Sequence, residues 1–122
     1  MLHTNLKHIE TVGEFKELLD SGAKAAIVCG RMGPMCIPVY GIMEALRDKY
    51  PDVRFFDMEF DSPVGMATIR SLPETRGFNG LPFTVYLRDG KVVAATSSIQ
   101  TKQQVKEILD TRLADGSAAV AG

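Results

Sequence analysis

No apolar run in this 122-residue chain is long enough to cross a bilayer. Met1 to Phe15 is polar and periodic, without an apolar stretch before a small-residue cleavage site, so no secretory leader is expected and the default location is the cytoplasm. Neither sign of charge dominates: 14 Lys and Arg against 15 Asp and Glu leave −1, which gives no electrostatic reason to expect nucleic acid or an anionic membrane as partner. Cysteine is scarce. There are two, Cys29 and Cys36, and a pair in a cytosolic chain more often serves catalysis, redox sensing or metal binding than structural stapling. The plain alternative is two buried thiols packing as small hydrophobes.

What is present suits one soluble globular domain. Hydrophobic residues make up 45% and charged residues 24%, enough to build a core. Leu6 to Ile9 reads as a short strand. Thr11 and Glu14 form a capping box for a helix whose apolar face is Val12, Phe15, Leu18 and Leu19, ended by Ser21-Gly22. Ala25 to Cys29 is wholly apolar, as expected of a central strand buried on both faces. Pro34 suits the first position of the next helix, which presents Val39, Ile42, Met43, Leu46 and Tyr50. Pro38 would kink that helix or mark its true start. Val53 to Phe60 is a third strand, and Asp61-Ser62-Pro63 turns into a weak helix from Val64 to about Leu72. Phe83 to Leu87 and Val92 to Thr96 are strands joined through Asp89-Gly90, a strong hairpin signal. Thr101 and Gln104 cap a last helix with Val105, Ile108, Leu109 and Leu113 on its buried face. Residues 114–122 read as a loose tail after a domain spanning 1–113. The order β-α-β-α-β-α-β-β-α predicts parallel pairing first and an antiparallel hairpin last, in an α/β fold.

Several motifs on that frame resemble the thioredoxin family. Met32-Gly33-Pro34-Met35 lies between the second strand and second helix. Ile42 to Tyr50 is similar to the family's second helix. Gly80-Leu81-Pro82-Phe83 is similar to its Gly-Ile-Pro-Thr with a cis-proline, and the hairpin from Phe83 to Thr96 to its terminal strands. The resemblance runs from about Leu6 to Leu113 and implies a central mixed sheet of about five strands flanked by four helices. It also implies thiol–disulfide exchange on protein substrates, in which one cysteine attacks a disulfide and a second resolves it. Substrate would lie along Gly33, Pro34, Leu81 and Pro82. The expected partners are protein disulfides and a thioredoxin-reductase-like electron donor, with no cofactor, no metal and a monomeric state.

The chain departs from the family where the chemistry sits. With the second helix aligned without gaps, Cys36 takes the resolving position and Gly33 the attacking one. With Gly-Pro on Gly-Pro, Met32 and Met35 take both. The family's tryptophan before the motif and its buried acid in the second strand are missing. Three readings follow. The leading expectation is a thiol–disulfide oxidoreductase in which Cys29 and Cys36 form a displaced redox pair across the loop from Gly30 to Met35, with Cys36 the more nucleophilic and Arg31 helping a thiolate if it turns inward. The fold could instead serve as a redox-inactive interaction module around Pro82 and the methionine-containing loop. Or Cys29, Met32, Met35 and Cys36 could hold Cu(I). Asp57 or Glu59 could replace the missing acid, although solvated positions are commoner for such residues. His8 reads as structural, and Ser97 and Ser98 as turn residues or donors to a bound peptide.

Overall fold

The structure is a computed structural model that describes residues 2–113. The tail expected over 114–122 lies outside the described residues. Strands β1 (Lys7–His8), β2 (Lys24–Gly30), β3 (Val53–Glu59), β4 (Phe83–Arg88) and β5 (Lys91–Ser97) form one sheet in the order β1-β3-β2-β4-β5. The first three are parallel, β4 runs antiparallel to β2, and β5 antiparallel to β4. Helices α1 (Val12–Ser21), α2 (Ile37–Arg47), α3 (Pro63–Ala67) and α4 (Lys102–Arg112) complete the α/β fold. The element order is the one the sequence pattern predicts.

Strand β2 is the centre. It pairs with β3 on one edge and β4 on the other, and Ala25 to Cys29 are at most 1% exposed. Successive side chains of a strand point to opposite faces. Ala26 and Val28 therefore join Val39, Met43 and Leu46 of α2 and Val105 and Leu109 of α4 on one face. Ala25, Ile27 and Cys29 join Phe15 and Leu18 of α1, Val64 of α3, and Ile69 on the other.

Local signals explain most element ends. Both capping boxes form: the Glu14 amide donates to Thr11 Oγ1, and the Gln104 amide to Thr101 Oγ1, each at 3.1 Å. Gly22 ends α1 at φ 70°, and the tight turn between β4 and β5 holds Asp89 and Gly90 at φ 55° and 75°. One open choice is settled by Pro38, and one expectation fails. Helix α2 begins at Ile37, not at Pro34. A helix starting at Pro34 would carry Pro38 past its first turn, where the missing N–H and the ring break the ladder; starting at Ile37 keeps Pro38 in the first turn. Pro34 instead lies in a preceding turn, in which the Cys36 and Ile37 amides donate to Gly33 O. The helix expected from Val64 to Leu72 is broken at Thr68 (φ −120°, ψ −91°). Its remainder is a 3-10 turn, Ile69–Ser71, and a second such turn, Pro73–Thr75, follows it.

The sheet ends in unequal edges. β1 pairs through two residues only. Along β5, Arg112 Nη1 donates to Val93 O at 3.1 Å.

The segment that precedes β1 crosses the α2 side. Leu2 and Leu6 are buried there, the Asn5 amide donates to Glu44 Oε2 at 2.6 Å, and Arg47 Nη1 donates to Asn5 O at 2.6 Å.

Packing of this kind makes two substitutions costly. Leu46 is fully buried, so Leu46→Ala is expected to destabilise the fold by about 2–5 kcal/mol in urea unfolding. A Cβ at Gly65 would stand 2.6 Å from Glu59 O and 2.9 Å from Phe60 O, both backbone atoms. Gly65→Ala is expected to cost about 1–3 kcal/mol despite the higher helix propensity of alanine; a neutral or stabilising effect would contradict that packing.

Candidate functional site

The loop between β2 and α2 is organised around Gly30. A Cβ at this position would lie 2.8 Å from the Tyr40 hydroxyl, 2.9 Å from Cys36 Sγ and 3.0 Å from Pro82 Cβ. Phenol, thiol and proline ring thus converge where a side chain is absent. Tyr40 donates from its hydroxyl to Arg31 O at 3.0 Å, and the Arg31 amide donates to Cys36 Sγ at 3.4 Å. The Leu81–Pro82 peptide is cis, and the Ser98 amide donates to Pro82 O at 3.1 Å and Gly80 O at 2.9 Å. The Ser98 amide is therefore committed within the loop.

The two cysteines do not meet. Both are free thiols and both are buried. Cys29 lies among Phe83, Met58 and Ile69, whereas Cys36 lies among Val28, Val39 and Tyr40, on the opposite face of the sheet. The displaced pair drawn across the loop is thus not assembled: Cys29 is the last side chain of a buried strand and its direction is set by strand alternation, not by the loop. Burial pushes the Cys29 thiol up to about 12, with only partial offset from Arg70, so it stays protonated near neutrality and is a poor nucleophile. The same geometry undoes the four-sulfur copper set, since Cys29 points away from Cys36. Among the described residues, no group of three His, Cys, Asp or Glu side chains is placed to hold a metal.

The loop and the start of α2 expose apolar side chains. Met32, Met35 and Ile37 are 39%, 44% and 48% exposed. Gly33 and Leu81 are half-buried, Pro34 is exposed and Pro82 is buried. Arg31 turns outward and not toward a thiol. Its guanidinium grips Asp61 with two bonds, Nε to Oδ2 at 2.6 Å and Nη2 to Oδ1 at 2.7 Å, and lies 5.3 Å from the Phe60 ring centroid. Hydrogen bonding to Arg31 lowers the Asp61 pKa.

Asp57 is fully buried, against the commoner solvated fate of a strand carboxylate. It stands in β3 beside Val28 of β2 and His8 of β1. His8 Nδ1 is 2.6 Å from Oδ1, and Thr4 donates from its hydroxyl to Oδ2. Burial raises the Asp57 pKa, and the hydrogen bonds from Thr4 and His8 only partly offset that. A cavity of about 130 Å³ opens beside it, lined by His8, Glu10, Glu59 and Ser62. Burial first, then the charges of Cys36 and Asp57, push the Tyr40 pKa well above that of a free phenol. Sequence reasoning named Asp57 as a substitute acid but missed its partners. Thr4 sits in the segment before β1, and only the register of β1 on β3 brings His8 opposite Asp57.

A carboxyl whose pKa is higher in the folded chain than in the unfolded one costs no stability while both are protonated. The cost grows as pH rises from the unfolded value, about 3.9, through the folded one. Asp57→Asn removes this titration. The stability of the wild type relative to the variant is therefore expected to fall across that window and then level off, read as urea midpoints at stepped pH. A difference that stays constant with pH would sink the assignment.

Comparison with known proteins bears on the fold alone. No family model and no curated protein matches the chain. Among solved structures it is similar to thioredoxin O2 from Arabidopsis thaliana in its oxidised state, at 15% identity and a TM-score of 0.70 over 91% of this chain and 96% of that one. The thioredoxin of Fasciola hepatica matches at 18% identity and 0.70 over 85% and 96%. Mitochondrial thioredoxin 3 of Saccharomyces cerevisiae, in its oxidised form, matches at 20% and 0.67 over 84% and 91%. With the sheet order, the cis-proline and these matches together, the chain has a thioredoxin-like fold.

Proposed function

We propose that this chain is a polypeptide-binding module on a thioredoxin-like fold, without dithiol turnover of its own. One observation carries the reading. The two thiols are buried on opposite faces of the sheet, while Met32 and Met35 of the loop between β2 and α2, and Ile37 at the start of α2, are each exposed, and Gly30 at the head of that loop approaches Pro82. Unbranched methionines adapt to different apolar partners at small cost, which suits a surface that accepts extended segments of varied sequence. The half-buried Leu81 and Gly33 and the exposed Pro34 would flank the bound segment.

The competing reading is a thiol–disulfide oxidoreductase that uses Cys29 and Cys36 on protein disulfides and draws electrons from a thioredoxin-reductase-like donor. It requires the two Cα atoms to sit about 4.4–6.8 Å apart with converging Cβ vectors. The end of β2 would have to detach, because Cys29 is paired with Met58 on one side and Phe83 on the other.

Two measurements separate the readings. In a graded glutathione redox buffer, the native protein is expected to show no intramolecular disulfide, and both thiols to resist a thiol reagent until urea unfolds the chain. A reversible two-electron transition, lost in Cys36→Ser, would overturn the proposal. A fluorescein-labelled extended peptide with alternating apolar residues is expected to bind. Ile37→Asp should weaken that binding about tenfold or more without loss of fold, since Ile37 is exposed and the lost contact is apolar.

A further inference from the structure

Four sulfurs crowd the pole where β2 gives way to α2, and they divide by chemistry. The two thiols are sealed: Cys29 is fully buried, and Cys36 is 2% exposed. The two thioethers, Met32 and Met35, are open to solvent. A thioether reacts with peroxides without first losing a proton, so its oxidation follows exposure and not pKa. Met32 has a further feature that Met35 does not share. Its Sδ accepts the His3 amide at 3.3 Å. That contact begins a run of anchors along one short segment: Leu2 is buried, Thr4 donates to buried Asp57, the Asn5 amide donates to Glu44, and the Leu6 amide donates to Thr4 Oγ1 at 3.0 Å. Residues 2–6 thus tie the methionine-containing loop to the buried acid and to α2.

We propose that Met32 is a peroxide-sensitive modification site whose oxidation releases the segment 2–6 from the site. A hydroperoxide delivers one oxygen to Sδ. The O–O bond breaks, an S–O bond forms, sulfur loses two electrons, and the peroxide leaves as water or an alcohol. The product sulfoxide is pyramidal and polar, and its acceptor is now the oxygen, displaced from the sulfur that the His3 amide faces. The His3 amide thereby loses its present contact with sulfur. Reversal takes two electrons and two protons from a dithiol through a methionine sulfoxide reductase and returns thioether and water. The inference stands apart from the peptide-binding reading, because it concerns the intact chain with no partner present.

The test uses the full chain and hydrogen peroxide as the probe. After timed exposure, peptide mass spectrometry is expected to find sulfoxide at Met32 about tenfold or more ahead of Met43 and Met58, which are buried. Amide exchange at Asn5 and Leu6 is expected to quicken about fivefold or more in the oxidised protein. Met32→Leu keeps the size of the side chain and cannot be oxidised, so in this variant the same peroxide treatment should leave those amides unchanged, although Met35 and exposed Met66 still gain oxygen. Three outcomes would overturn the proposal: Met32 oxidised no faster than the buried methionines, Met32 oxidised with exchange at Asn5 and Leu6 unaltered, or equal quickening in Met32→Leu.

Discussion

Strand β2 is enclosed on every side. A strand pairs with each of its edges and a helical layer covers each of its faces, so none of its side chains has a choice of direction. The alternation of a pleated strand then fixes the site. Val28 points to the α2 side and Cys29 away from it, and the next residue, Gly30, must carry no side chain because Tyr40, Cys36 and Pro82 occupy that space. Rotating Cys29 toward Cys36 would mean a one-residue slip of the whole strand, which would turn its entire apolar set over. The strand's pairing with β3 and β4 holds against that slip, and the separation of the thiols is a property of the sheet and not of the loop.

One band of polar side chains crosses the α2 side of the sheet. His8, Asp57, Val28, Thr84 and Thr96 are successive register partners from β1 to β5. At one end Asp57 has two partners. At the other, the Thr84 and Thr96 hydroxyls are buried without protein partners among the described residues, as is the hydroxyl of Tyr86. Each such group costs about 1–3 kcal/mol when no partner meets it. On the α1 side the buried Thr68 and Thr75 hydroxyls donate to Val64 O and Ile69 O, so among the described residues the unpartnered hydroxyls lie beneath α2 and α4.

Much of the fold is legible because its signals are local. A capping box is read within four residues, and both form. Asp89-Gly90 specifies a tight turn through the backbone conformations those residues tolerate, and β4 and β5 flank it. The all-apolar run at β2 has one comfortable environment, a doubly covered strand. What escaped the sequence depends on comparison between distant segments. Pro34 and Pro38 each suit a helix start, and only the competition between them sets the first residue of α2. Phe55-Phe56-Asp57-Met58 reads as an apolar strand with one carboxylate, and nothing local says that Thr4 and His8 cover that carboxylate. The spacing of Cys29 and Cys36 permits a bridge in one dimension. Their facing is decided by the strand, and spacing along a chain carries no sign for it.

The unequal sheet edges bear on how the protein behaves when crowded. Strand edges are templates on which a second chain can add itself, and long flat apolar edges seed ordered aggregates. β1 offers only two residues, one of them a lysine, too few to register an incoming strand. β5 is longer, but it opens with Lys91, and Arg112 already occupies the Val93 carbonyl on its flank. Both ends of the sheet are therefore blunted without a barrel closure. A chain whose central strand carries a short, apolar and uncharged run, Ala25 to Cys29, among the most aggregation-prone kinds of sequence, keeps that run innermost and presents its least adhesive edges to its neighbours.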